Sequence, residues 1–185
     1  RPKAVTAVAI GPGLADAELV EQAVNTLFAS KLPLVLDAGA LTARDYPKRQ
    51  APTIVTPHPG EFSRMTGLSV TEIQHNRLEL ASEYARTNDV IVVLKGRNTV
   101  IAFPDGTLFV NPTGNVGLAK GGTGDTLTGI MLAHLSCYSD VKAAVLNAVY
   151  LHGATADYWC ETKAAASMTA SDISENLAIV MKKFE

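Results

Sequence analysis

The chain has 185 residues, 47% of them hydrophobic and 18% charged, with a formal net charge of −2. That size and composition suit a single domain with a substantial core and exclude a disordered chain. With no basic field and no apolar run of membrane-spanning length, neither nucleic acid nor membrane is an expected partner. Cys137 and Cys160 sit in apolar helical surroundings and make no disulfide framework, so they read as reduced, buried thiols of a cytoplasmic protein.

The sequence starts Arg1-Pro2-Lys3 rather than Met and enters an apolar run, Val5 to Ile10, almost at once. It reads as a chain without its natural N-terminus. Gly11-Pro12-Gly13 ends that run, an amphipathic stretch follows from Ala15 to Ser30, and Leu34 to Leu36 closes on Asp37. Strand, glycine turn, helix and strand ending in an acid is the outline of a dinucleotide-binding unit, here with Asp16 in place of the third glycine. Asp37 is equally suited to binding a ligand or to capping a helix that starts at Ala38.

Ile54 and Val55 form the next strand and run into His58-Pro59-Gly60-Glu61-Phe62-Ser63-Arg64. Flanking prolines hold His58 extended, and Pro59 suits the first position of a short helix stopped by Gly67. His58, Glu61 and Arg64 at a strand-to-helix junction favour ligand contact, whereas Phe62 and Met65 belong to the core. A cover helix starts at Thr71, with Ile73, Leu78, Ala81 and Ala85 on its buried stripe. Val90 to Leu94 is a wholly apolar strand of the parallel-sheet type, followed by Lys95-Gly96-Arg97-Asn98. A hairpin runs from Thr99 to Phe103, through Pro104-Asp105-Gly106, to Leu108 to Val110.

The next stretch, Asn111 to Met131, places Gly114, Gly117, Gly121, Gly122 and Gly124 just before a helix that starts near Thr123 or Gly124. Unpaired amides at such a helix start form an anion site, with Lys120, Lys95 and Arg97 as candidate local cations. Asp125 in the first turn suggests phosphoryl transfer with the carboxylate as proton acceptor; the bland alternative is a helix cap. Val141 to Trp159 is a helix whose buried stripe includes His152, read as a core histidine. Ser171 to Phe184 is the last helix, opened by the capping-box pattern Thr169-x-x-Asp172.

The phrases GPGL, TPHPGEFSRMTG, VVLKG and NPTGNVGLAKGGTGDTLTGI occur in this order along essentially the whole chain. They resemble the ADP- or ATP-dependent NAD(P)H-hydrate dehydratases of the ribokinase-like superfamily. The resemblance implies a three-layer α/β/α sandwich around a mostly parallel sheet, in one domain over residues 1–185 that lacks its N-terminal part. It implies removal of water from hydrated NADH or NADPH, coupled to hydrolysis of ADP or ATP with Mg²⁺, in a homo-oligomer. Carried over by position, Gly13 and His58, Pro59, Gly60, Glu61, Phe62, Ser63 and Arg64 match the substrate contacts, and Asp125 matches the catalytic carboxylate. Lys95, Gly96, Arg97, Asn98 and Thr99, with Asn115, Val116, Gly117, Leu118, Ala119, Lys120, Gly121, Gly122, Thr123 and Gly124, match the nucleotide site. No carboxylate cluster marks a dedicated metal site. Two features depart from the family: its additional N-terminal segment has no counterpart here, and Gly39 stands where an aspartate is usual. The competing expectations are a vitamin-precursor kinase of the same superfamily, which has no use for the His58 loop, and a nucleotide-binding module without catalysis.

Overall fold

A computed structural model of the chain describes residues 5–184, so Arg1-Pro2-Lys3 lie outside the described residues. The chain groups into two compact units, the first running to Val110 and the second starting at Asn111.

In the first unit six strands form one sheet in sequence order: β1 (Val8–Ile10), β2 (Leu34–Leu36), β3 (Thr53–Val55), β4 (Ile91–Leu94), β5 (Val100–Ala102) and β6 (Leu108–Val110). β1 to β4 are parallel, with Ile10 opposite Leu36 and Leu36 opposite Val55, while β5 and β6 are antiparallel additions. Every residue of β2, β3 and β4 is buried, which is why these segments are apolar apart from Thr53. Four parallel strands end at one edge, and that edge carries the turns described below.

The helices of this unit are α1 (Ala17–Phe28), α2 (Pro59–Thr66), α3 (Val70–His75) and α4 (Arg77–Asn88). Asp16, read as a misplaced glycine position, is the N-cap of α1 and accepts from the Glu18 and Leu19 amides. The single cover helix expected from Thr71 is two helices. Asn76 ends the first: its side chain donates to the Glu72 carbonyl, and its backbone turns away at φ −125°. The break rotates the apolar stripe, so Leu78 is exposed while Leu80, Ala81, Tyr84 and Ala85 reach the core. Phe62 and Met65 are buried there as expected, and Phe62 meets Tyr84 edge-on at 5.3 Å.

Arg49 holds the connections under this sheet. Its guanidinium donates to the carbonyls of Phe28, Ser30, Leu32 and Pro52 and to the Thr53 hydroxyl, tying the end of α1 to the starts of β2 and β3. These carbonyls lie at the ends of helices and strands, and that of Pro52 also accepts from the Leu34 amide of β2. Burial lowers the guanidinium pKa, and the ring of acceptors offsets that cost.

The second unit is helical: α5 (Thr123–Cys137), α6 (Val141–Cys160) and α7 (Ala170–Met181) pack on one another. Leu127, Met131, Val145, Ala148, Val149, Ala156 and Ile173 are buried in it. The expected capping box is present: Thr169 donates through both its amide and its hydroxyl to Asp172 Oδ2, and these bonds lower the Asp172 pKa. Cys137 corrects the expectation of buried thiols. As the last residue of α5 it is exposed, and Cys160 is half-buried; both are free. Among the described residues no helix is long and apolar enough to cross a membrane.

Arg49→Met should therefore lower global stability by about 3 kcal/mol, because several carbonyls lose a charged donor at once. Thermal unfolding of the variant checks this, and an unchanged midpoint would show that water replaces the guanidinium at little cost.

Candidate functional site

After β1 the chain turns at Gly11 to Leu14, with the Leu14 amide donating to the Gly11 carbonyl. This turn packs against the single helical turn Ala38–Ala40 that follows β2. A side chain at Gly11 would put its first carbon 1.6 Å from the Asp37 carbonyl oxygen, so Gly11 serves chain packing. Gly13 differs: it is exposed, sits at φ +73°, and nothing lies within 4 Å of where a side chain would begin. Of the two glycines, Gly13 is the one open to a ligand. Gly39, the departure from the resembled pattern, is also closed, since a side chain there would start 2.3 Å from the Leu14 carbonyl oxygen.

Asp37 makes no side-chain capping hydrogen bond to the turn after it. It is 1% exposed and its Oδ1 accepts from Lys95 Nζ at 2.8 Å. The same ammonium lies 3.6 Å from Glu61 Oε2, and Glu61 is 6% exposed. Lys95, expected as a phosphate cation, thus stands between two buried carboxylates at the ends of β2, β3 and β4.

His58 is the N-cap of α2. Its Nδ1 accepts from the Gly60 and Glu61 amides at 3.0 and 3.2 Å, while Glu61 Oε2 accepts from the His58 amide at 2.7 Å. This is a capping box with an imidazole in place of a hydroxyl. Accepting at Nδ1 puts the proton of the neutral ring on Nε2, which lies 3.4 Å from Glu61 Oε1 on a side chain that is 56% exposed. The expected loop thus divides. His58 and Arg64 face solvent; Glu61 and Phe62 are buried; Ser63 donates to the Leu68 carbonyl.

The 95–99 loop leaves β4 through Gly96 at φ +147° and Asn98 at φ +56°, with the Thr99 hydroxyl donating back to the Gly96 carbonyl. Gly96, Arg97 and Asn98 are exposed. Arg77, a residue no sequence pattern singled out, holds this loop from below by donating to the Leu94 carbonyl at 2.8 Å. Its desolvation lowers the guanidinium pKa.

In the second unit the glycine-rich loop is held at several points before it reaches α5. Asp157 accepts from the Gly114 amide and from Asn115 Nδ2, at 2.8 and 2.9 Å. The Asn115 side chain accepts in turn from the Gly117 amide across the turn Val116–Leu118. Thr113 rests on α6 at Gly153, where a side chain would start 2.2 Å from the Thr113 hydroxyl. Gly153 and Asp157 are four residues apart on one helix, and that spacing is the signal that marks them as one face. Lys120 does not point into an empty anion site. It donates to the carbonyls of Ala166 and Met168 and closes the loop onto the turn Ala165–Ser167.

Thr123 folds its hydroxyl back onto the Leu118 and Lys120 carbonyls, and Gly122 starts α5 at φ +84°, which strains any other residue. His152 is buried as expected, and its Nε2 lies 2.9 Å from the Thr123 carbonyl, steadying the first turn. Asp125 is exposed in that turn. The N-cap is Gly122, and among the described residues no capping bond or ion pair engages the Asp125 carboxylate. The structure thus gives the capping alternative for Asp125 no support.

The sequence profile of the NAD(P)H-hydrate dehydratases matches residues 1–178. The chain belongs to this family. An ADP-dependent (S)-NAD(P)H-hydrate dehydratase of Bacillus subtilis is 56% identical over 179 residues, covering 97% of this chain and 65% of that relative. A crystal structure of the ADP/ATP-dependent NAD(P)H-hydrate dehydratase of the same organism, co-crystallized with ATP/Mg²⁺, superposes with a TM-score of 0.97 at 54% identity. It covers all of this chain and 67% of that one. A ribokinase-like superfamily protein of Enterococcus faecalis V583 gives a TM-score of 0.79 at 28% identity, over 96% of this chain and 63% of its own. The fold is therefore the ribokinase-like α/β fold anticipated from the sequence. This chain spans about two thirds of the length of its Bacillus relative.

Gly153→Ala tests how the glycine-rich loop is seated. Overpacking against Thr113 should cost about 1–3 kcal/mol and strip hydrogen-exchange protection from the Gly114 amide, while α6 keeps its helicity. Unchanged protection at Gly114 would mean that the loop is not fixed through this contact.

Proposed function

We propose that this protein restores NADH or NADPH from the hydrated cofactor, using ADP or ATP. The observation that carries the proposal is the exposed, unengaged carboxylate of Asp125 at a helix start built from an anchored glycine loop. The ADP-dependent dehydratase activity of the 56% identical Bacillus relative supports it.

Residues 115–124 cradle the nucleotide phosphates through the loop amides and the positive end of α5. Gly13, His58 and Arg64 meet the hydrated dinucleotide, His58 through the exposed part of its ring. Among the described residues no three His, Cys, Asp or Glu side chains gather into a metal cage. Mg²⁺ would enter with the nucleotide, where it would offset negative charge on the phosphates.

Hydroxide is a poor leaving group, and phosphorylation makes it a good one. Asp125 takes the proton of the substrate hydroxyl as that oxygen attacks the terminal phosphorus, and the shortened nucleotide departs. The loop amides hold the charge that develops on the phosphoryl oxygens. The ring nitrogen then pushes out the phosphate ester, a proton leaves the neighbouring carbon, and the double bond returns. The products are the reduced cofactor, inorganic phosphate and the nucleotide shortened by one phosphate.

Asp125→Asn keeps the size and polarity of the side chain but cannot hold the proton. With the whole native protein, ADP and Mg²⁺, its rate of NADH regeneration should fall by about a hundredfold or more, while ADP affinity changes little. A variant of near-normal turnover would remove the base assignment. Phosphorylation of a vitamin-type alcohol without NADH regeneration would favour a kinase instead.

A further inference from the structure

The residues expected to hold nucleotide phosphate include one whose side chain faces elsewhere. Lys95 has its backbone at the start of the exposed 95–99 loop, where its carbonyl lies 3.4 Å from the Arg77 guanidinium. Its amide donates to the Pro57 carbonyl at 2.8 Å, joining it to the segment that precedes His58. Its ammonium runs back into the unit, 2.8 Å from Asp37 Oδ1 and 3.6 Å from Glu61 Oε2, with the side chain only 19% exposed.

Glu61 Oε2 is also the oxygen that accepts the His58 amide. One ammonium therefore bears on the carboxylate that fixes the loop's first residue, and on the carboxylate that follows β2. Withdrawing that cation leaves two buried carboxylates close together, a strongly unfavourable state in a poorly solvated site. The simplest relief is for Glu61 to swing towards solvent. That releases the His58 amide, and with it the cap that orients the imidazole.

We infer that Lys95 is a positioning residue for the hydrated dinucleotide: its ammonium, set between Asp37 and Glu61, fixes the His58 loop rather than binding nucleotide phosphate. The inference rests on the dehydratase reading for its substrate. Only the backbone of Lys95 then serves the nucleotide loop. The side chain governs recognition of the second reactant, and the two contributions separate experimentally.

The experiment compares Lys95→Met, Lys95→Arg and Glu61→Gln in the whole native protein, measuring KM for hydrated NADH, kcat, and ADP affinity by calorimetry. Lys95→Met should raise KM about tenfold while ADP affinity stays within about threefold, with Lys95→Arg recovering most of the loss. Lys95→Met and Glu61→Gln should be non-additive, because both act through the same oxygen. The imidazole resonances of His58 should move in Lys95→Met, which a general loss of stability would not single out. Reduced ADP affinity at unchanged KM, or strict additivity, overturns the inference. If Lys95→Met does not fold, Glu61→Gln and Lys95→Arg decide it: a raised KM at constant ADP affinity in Glu61→Gln, with Lys95→Arg near normal, sustains it, and any other pattern overturns it. If the unaltered protein regenerates no NADH, the dehydratase reading fails. The Lys95 assignment is then judged by ADP affinity and His58 resonances, expected to be unchanged and shifted respectively.

Discussion

Two carboxylates buried within reach of one ammonium are the constraint on which the first unit's ligand edge depends. Asp37 and Glu61 would repel each other and pull water inward if left alone, and Lys95 makes their burial tolerable. Because they follow β2 and β3 while Lys95 follows β4, the cluster fixes three neighbouring strand ends to one another. The exposed groups of that edge, Gly13, His58 and Arg64, are presented by a frame whose own polar groups are largely consumed internally. Parallel sheets expose ligand-binding turns at this edge, and here the turns are held by charge as well as by hydrogen bonds.

The second unit solves a different problem. A loop that offers amides to an anion must leave some of them unpaired; here the Leu118, Ala119 and Thr123 amides bond to the Asn115, Val116 and Lys120 carbonyls. Further support comes from side chains. Asp157 takes an amide at the loop's start, Thr123 and His152 hold carbonyls at its end, and Lys120 binds carbonyls beyond it. Asp125 escapes this web because Gly122 occupies the capping position. A carboxylate kept out of structural service is available for proton transfer.

The order of strands and helices was legible because apolar runs, glycine stops and proline starts each have one local meaning. The ends of β2 and β4, Pro59 at the start of α2 and the Thr169–Asp172 box are such cases. What escaped the sequence were meanings set by partners far along the chain. Lys95 and Lys120 read as free phosphate cations, but each reaches across dozens of residues to a carboxylate or to carbonyls. Arg77 and Arg49 carry no local pattern, since their work lies in collecting carbonyls from other segments. The break at Asn76 was missed because helical periodicity continues through it. Only the competition of its side chain for the Glu72 carbonyl reveals the stop.

Gly39 lies against the main chain of Leu14 and Gly11 in the turn after β1, and Gly11 lies against that of Asp37 and Ala40 after β2, so a side chain at either would strike backbone. The two close approaches are therefore coupled: a carboxylate at position 39 demands a rerouted 11–14 turn, and Gly13 would travel with it.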